Sequence, residues 1–223
     1  DGYKGILNSY LGEYPKSFTY KENTYTPQSF VKDYLELDPD NYIELTSYSH
    51  EPFYSKFPLL VPDNWLWDEV YNVKLNELVD IIYHAIDEGY TVAWAADVSE
   101  KGFSHKNGVA IVPEKNIESM KGSERAKWED LSDKELQERM YSFTEPVPEK
   151  EITQEMRQEA YNRYQTTDDH GMHIVGTAKD QNGKKYFIVK NSWAKTGKYD
   201  GYFYASEAFV KYKTMDIMVH KES

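Results

Sequence analysis

Asp169-His170-Gly171-Met172-His173-Ile174-Val175-Gly176 and, after a turn, Tyr186-Phe187-Ile188-Val189-Lys190-Asn191-Ser192-Trp193 form the stretch on which this sequence is decided. Its apolar, β-branched and aromatic runs predict strands over Met172 to Ala178 and Lys185 to Asn191. Asp180-Gln181-Asn182-Gly183 between them is the clearest turn signal in the chain. The two strands therefore read as an antiparallel hairpin, with a histidine entering one and an asparagine ending the other. Residues that face each other across such a hairpin share a constant sum of positions, here 361 for His170 with Asn191. That sum centres the turn between Asp180 and Gln181. A two-residue Asn182-Gly183 turn would instead offset the pair by about 13 Å, at 3.3 Å per strand residue. A meeting of His170 and Asn191 thus requires a longer loop across Lys179 to Gly183.

Upstream, Thr26-Pro27 reads as an N-cap with proline at the first helical position, opening a helix over Gln28 to Leu35. Residues 1–50 read as a loop-rich lead-in around that helix. Leu75, Leu78, Val79, Ile82 and Ile86 fall at helical spacing, with Gly89 as the stop, which predicts a helix over 75–88. Thr91 to Val98 then suits a buried strand, and Gly108 to Pro113 another, within a segment of 51–113. Residues 114–165 are mostly charged and helical, with a Ser132/Glu135 capping box and Thr153 as a second cap, and read as a solvated helical insertion. Residues 166–223 return to strands, including Gly201 to Ala205 and Thr214 to His220. Helix and strand, helical insertion, then an antiparallel run is an α+β order.

The net charge of −12 argues against a nucleic-acid partner, which needs clustered lysine and arginine. No apolar run reaches the roughly 20 residues of a membrane-spanning helix. The chain has no cysteine, which excludes disulfides and thiolate metal sites. It begins at Asp1 rather than Met, so a processed or truncated start is expected.

Imidazole and carboxamide on adjacent strands suit the support of a thiol nucleophile. The imidazole takes the thiol proton and holds the ion pair, and a third group must fix its tautomer and orientation. An amide oxygen does this without adding a second buried charge. Trp193, two residues beyond Asn191, is placed to shield the pair from water. His170 and His173, three apart on a strand, point to opposite faces and cannot chelate one metal together. His84 reads as a helix-face residue, and His50, His105 and His220 lack comparable context.

The quoted stretches closely resemble the histidine and asparagine motifs of papain-like cysteine peptidases. A longer, collinear resemblance is to the bleomycin hydrolase / aminopeptidase C branch. It runs through Thr26-Pro27-Gln28-Ser29-Phe30, Gly89 to Val98 and the segment Ile152 to His170. The resemblance implies a papain-like cysteine peptidase fold, an antiparallel barrel-like sheet domain with a helical insertion. It implies thiol-dependent hydrolysis of peptides, with His170 as base and acid, Asn191 as its orienter, Trp193 as cover and Asp169 in support. No metal or cofactor is implied. It also implies a homo-hexamer that trims peptide N-termini and a cytoplasmic location, although an exported, processed form fits the non-Met start.

Two departures stand out. The family's nucleophilic cysteine and oxyanion-hole glutamine belong to an N-terminal half with no counterpart here, so this chain is expected to be the C-terminal part of the enzyme. The family's C-terminal arm has no counterpart after Ser223, which leaves exopeptidase specificity open. Ala194 also replaces the glycine usual after Ser-Trp. Two other readings stay open: a catalytically inactive papain-like homologue acting as a peptide-binding or assembly module, and a metal-dependent hydrolase using His170 with Asp168 or Asp169.

Overall fold

The computed structural model describes residues 2–115 and 126–223. It divides into two compact units, Asp1–Tyr42 and Ile43–Ser223. In the first, helix α1 (Gly2–Leu11) precedes a small hairpin of β1 (Phe18–Tyr20) and β2 (Asn23–Tyr25). Helix α2 (Pro27–Ser29) starts as expected, with the Thr26 hydroxyl accepting the Ser29 N–H at 3.1 Å. Phe30–Tyr34 then continues in a π turn, closed by the Leu35 N–H donating to the Phe30 carbonyl at 3.0 Å. The expected Gln28–Leu35 helix is thus α only in its first turn. The Phe30 ring packs edge-on against Phe18, Tyr20 and Tyr25, a cluster of contacts that helical periodicity does not register.

The second unit is built on a ten-stranded sheet. Its strands are β3 (Tyr42–Thr46), β4 (Lys56–Pro58), β5 (Glu69–Asn72), β6 (Val92–Ala96), β7 (Phe103–Ser104) and β8 (Val109–Ala110), followed by β9 (His170–Lys179), β10 (Lys185–Lys190), β11 (Tyr202–Ser206) and β12 (Thr214–His220). Their spatial order is β4-β5-β3-β12-β6-β9-β10-β11-β8-β7. The ladders from β12 through β6, β9 and β10 to β11 are antiparallel, as expected. β3 pairs with β5 and β8 with β11 in parallel, each joined by the long crossover that parallel neighbours require.

Helix α3 (Leu75–Asp87) forms where the periodicity placed it and buries Leu75, Leu78, Val79, Ile82 and Ala85. Gly89 follows at φ +85°, the left-handed stop that glycine takes without a Cβ penalty. The buried face of α3 packs with Trp94, Ile174, Phe187, Val189 and Phe203 of the sheet. Each such side chain stabilises the fold by about 1.5–3 kcal/mol when fully buried. This core fixes the central strands, and with them the ends of β9 and β10.

The charged segment is more than a solvated insertion. Helix α4 (Asp133–Met140) has the expected Ser132/Glu135 capping box, and α5 (Gln154–Asn162) starts at Thr153. Trp128, Leu136, Met140 and Val147 nevertheless build a second core with Ile111. Arg157 of α5 is fully buried, its Nε donating to the Ser47 carbonyl at 2.7 Å and its guanidinium lying 4.4 Å from the Tyr48 ring. Sequence polarity read Arg157 as solvated because its backbone and aromatic partners at Ser47 and Tyr48 lie about a hundred residues away. The expected helical content over 116–125 lies outside the described residues.

Candidate active site

The β9–β10 hairpin does not keep the register that a simple pairing of His170 with Asn191 requires. Near the turn Lys185 pairs with Lys179 and Ile188 with Gly176, a constant sum of 364. The turn is a longer loop, as required, but centres on Asn182 rather than before Gln181. The Asp180 carboxylate accepts the N–H groups of Asn182 and Lys184 and holds it. Between Ile188 and Val189 the ladder slips, so that Val189 pairs with Ile174 and Lys190 with His173. Val175 is the extra residue of a β-bulge.

The bulge determines which histidine meets Asn191. Had the first register continued, His173 would stand opposite Asn191 and His170 would face the other side of the sheet. With Val175 inserted, Met172 falls opposite, and His170, two residues further, shares the face of Asn191. His170 Nε2 lies 2.7 Å from Asn191 Oδ1. His173 turns away and its Nε2 meets Thr91 Oγ1 at 2.9 Å.

The asparagine oxygen is identified by its neighbours. Oδ1 also accepts the Ser192 N–H at 2.7 Å, which only an oxygen can do. His170 Nε2 must therefore carry a proton, and in the neutral ring Nδ1 is left with the lone pair. Among the described residues nothing hydrogen-bonds that nitrogen. Asn191 is buried and anchored by its own N–H donating to the Gly201 carbonyl at 2.8 Å. The Trp193 ring covers His170 with centroids 4.7 Å apart, while the residue remains 41% exposed.

Asp169 does not touch the imidazole. Its carboxylate accepts the N–H groups of Val98 at 2.9 Å and Ser99 at 3.3 Å, tying the end of β6 to the start of β9. Ala194 takes φ +56°, a left-handed conformation that costs an alanine roughly 1–2 kcal/mol. The close approach of Gly201 supports that conformation, since a Cβ there would lie 2.2 Å from the Ala194 carbonyl oxygen.

On the opposite face of the same strands lies a cavity of about 430 Å³ bordered by Ala93, Ala95, Gly171, His173, Glu44 and Asp216. Burial, with Asp168 and Glu44 nearby, pushes the Asp216 carboxyl up to about 7, against a lowering pull from Arg157. Among the described residues no cluster of three or more histidine, cysteine, aspartate or glutamate side chains could hold a metal. No described helix is long and apolar enough to cross a membrane.

Two residues, His105 and Thr196, escaped the sequence reading. His105, in the β7–β8 turn, reaches Asn191 from far up the chain, its Nδ1 lying 3.5 Å from Asn191 Nδ2. Thr196 Oγ1 meets its Nε2 at 2.8 Å. No local pattern marks either residue, because the His105–Asn191 contact joins positions 86 apart.

Comparison with known proteins accords with this geometry. Residues 114–220 match the family model of the papain family cysteine proteases. PepW from Lactobacillus rhamnosis HN001 has a similar structure, with a TM-score of 0.68 and 18% identity over 99% of this chain and 46% of that one. This chain thus spans less than half the length of PepW. The bromelain protease of Ananas comosus is a distant match, 15% identical over 64% of this chain and 45% of that one with a TM-score of 0.33. No curated protein sequence matches. The fold is papain-like, and the segment that carries His170 and Asn191 lies within the match to the papain-family model.

Proposed function

We propose that this chain, papain-like in fold and without a cysteine, supplies the base and orienting amide of a thiol peptidase. Its nucleophile would come from a cysteine-bearing segment outside the 223 residues. The observation that carries the proposal is the Nε2–H donation from His170 to Asn191, which leaves Nδ1 as the free base. In the reaction the thiol gives its proton to His170 Nδ1, and the thiolate attacks the peptide carbonyl. The tetrahedral adduct collapses as the imidazolium returns that proton to the leaving amine, which departs and leaves a thioester. Water, deprotonated by the same Nδ1, then releases the acid and regenerates the thiol. Throughout, Asn191 holds the ring in one orientation and Trp193 keeps water from the hydrogen bond.

The collinear resemblance to the bleomycin hydrolase / aminopeptidase C branch supports peptide N-termini as the substrate class and a homo-oligomer as the assembly. The test is turnover of an aminoacyl reporter by the chain completed with its cysteine segment. His170→Ala in that enzyme should lower kcat by about 10⁴-fold or more. Near-normal turnover in the variant would falsify the assignment. The isolated chain should hydrolyse nothing in an alkylation-sensitive manner, because it has no thiol to form a thioester. The absence of cysteine also favours a second reading, a non-catalytic homologue that binds peptides. The encoded sequence before Asp1 separates the two: a Gln followed by a Gly-Xaa-Cys-Trp-like segment belongs to the enzyme, and its absence to the binder.

A further inference from the structure

We propose that His105 is a positioning residue for the orienting amide, held in one tautomer by Thr196; this rests on the reading of His170 as base. The case begins at Thr196. Its hydroxyl donates its single proton to the Trp193 carbonyl at 2.7 Å. The same oxygen, 2.8 Å from His105 Nε2, can then only accept. His105 therefore carries its proton on Nε2 and presents a lone pair at Nδ1. Asn191 Nδ2, which can only donate, faces that lone pair at 3.5 Å.

The result is one directed series of donations, from His170 Nε2 to Asn191 Oδ1, from Asn191 Nδ2 to His105 Nδ1, from His105 Nε2 to Thr196, and from Thr196 to the Trp193 carbonyl. It closes on itself in space. The Trp193 ring lies 4.7 Å from the His170 ring and 4.9 Å from that of His105, so one residue covers both imidazoles and accepts the last proton of the series. Close approach of the loop depends on Gly197, at φ +74°. A Cβ there would lie 2.7 Å from the His105 carbonyl oxygen and 2.9 Å from its Nε2.

The series acts on the rotation of one amide. Turning Asn191 by half a rotation would set Nδ2 against two N–H groups, those of Ser192 and His170. It would also set Oδ1 against the Nδ1 lone pair of His105. The amide is thereby held from both ends, and Oδ1 stays in place when His170 becomes an imidazolium. His105 does not touch the reacting atoms and acts only through Asn191.

The test uses the 15N-labelled full chain above pH 8, with long-range proton–nitrogen correlations reporting imidazole tautomers. Both His105 and His170 are expected as Nε2–H forms. His105→Ala should displace the Asn191 side-chain amide resonances and admit the Nδ1–H form of His170. His105→Gln should restore both, since its oxygen can accept from Asn191 while its nitrogen donates to Thr196. Thr196→Val should release His105 toward the Nδ1–H tautomer. An Nδ1–H His105 in the wild type, or unchanged Asn191 and His170 signals in a folded His105→Ala chain, overturns the proposal. The wild-type tautomer and Thr196→Val decide the matter even if His105→Ala does not fold. With the cysteine segment supplied, His105→Ala should lower kcat about tenfold at little cost in KM, with recovery in His105→Gln. A wild-type chain that stays inactive there counts against the peptidase reading, while the tautomers still decide the role of His105.

Discussion

The two ends of the β9–β10 hairpin are built on opposite terms. At the turn end, from Lys179–Lys185 to Gly176–Ile188, the ladder is regular and the Asp180 side chain closes a compact loop. At the open end the ladder carries a bulge, a positive-φ alanine follows Trp193, and an acidic cavity lies behind the strands. The regular end brings the two strands together. The irregular end selects the side chains that meet, by inserting one residue of register at Val175. Irregularity concentrates where the His170–Asn191 contact needs a face that regular alternation would not supply.

The largest effect separates the two histidines that the bulge sends to opposite faces. His170→Ala should displace the Asn191 side-chain amide signals and, on the proposed peptidase reading with the cysteine segment supplied, lower kcat by about 10⁴-fold or more. His173→Ala should leave those amide signals in place, because its partner is Thr91 on the other face. If His173→Ala moves them as much as His170→Ala, the register of the open end is not as described.

The next effect concerns charge behind the open end. Asp216, raised to about 7 by burial and by Asp168 and Glu44, keeps its proton in the folded state where the unfolded chain has lost it. Between the unfolded value near 4 and about 7 the folded state thus binds more protons. Its contribution to stability is full below that unfolded value and is lost as pH rises through about 7. Asp216→Asn should flatten that decline and stabilise the chain at pH 8 by roughly 2–4 kcal/mol, at about 1.4 kcal/mol per pKa unit. Urea midpoints of both proteins at pH 5 and pH 8 check this, and parallel pH profiles would count against it.

The smallest effect belongs to the turn end. Gly183 sits at φ +80°, and a methyl group placed there would meet nothing within 4 Å, so Gly183→Ala incurs only backbone strain. A loss of about 1 kcal/mol is expected, with the Asn191 amide signals unmoved. Movement of those signals would show that the two ends are coupled through the strands.

Much of this was legible locally. The α3 periodicity, the Thr26, Ser132 and Thr153 caps and the strands of the last fifty-five residues all formed near their expected bounds. The histidine and asparagine motifs marked a pair that does meet. What stayed hidden rests on pairing between distant residues. The bulge at Val175 leaves no signature in a run of Ile174, Val175 and Gly176. The burial of Arg157 depends on carbonyls of Ser47, Lys211 and Met215, so its charge gave no warning of it.

The sequence alone determined the elements, the absence of a thiol and the histidine and asparagine motifs. Composition, periodicity and motif spacing are properties of short segments, and short segments fix them. The tertiary structure decided which histidine faces Asn191, which nitrogen of that histidine is free, and that His105 stands behind the amide. Those depend on register and tautomer, set only when strands far apart in the chain settle against one another and every buried donor must find an acceptor.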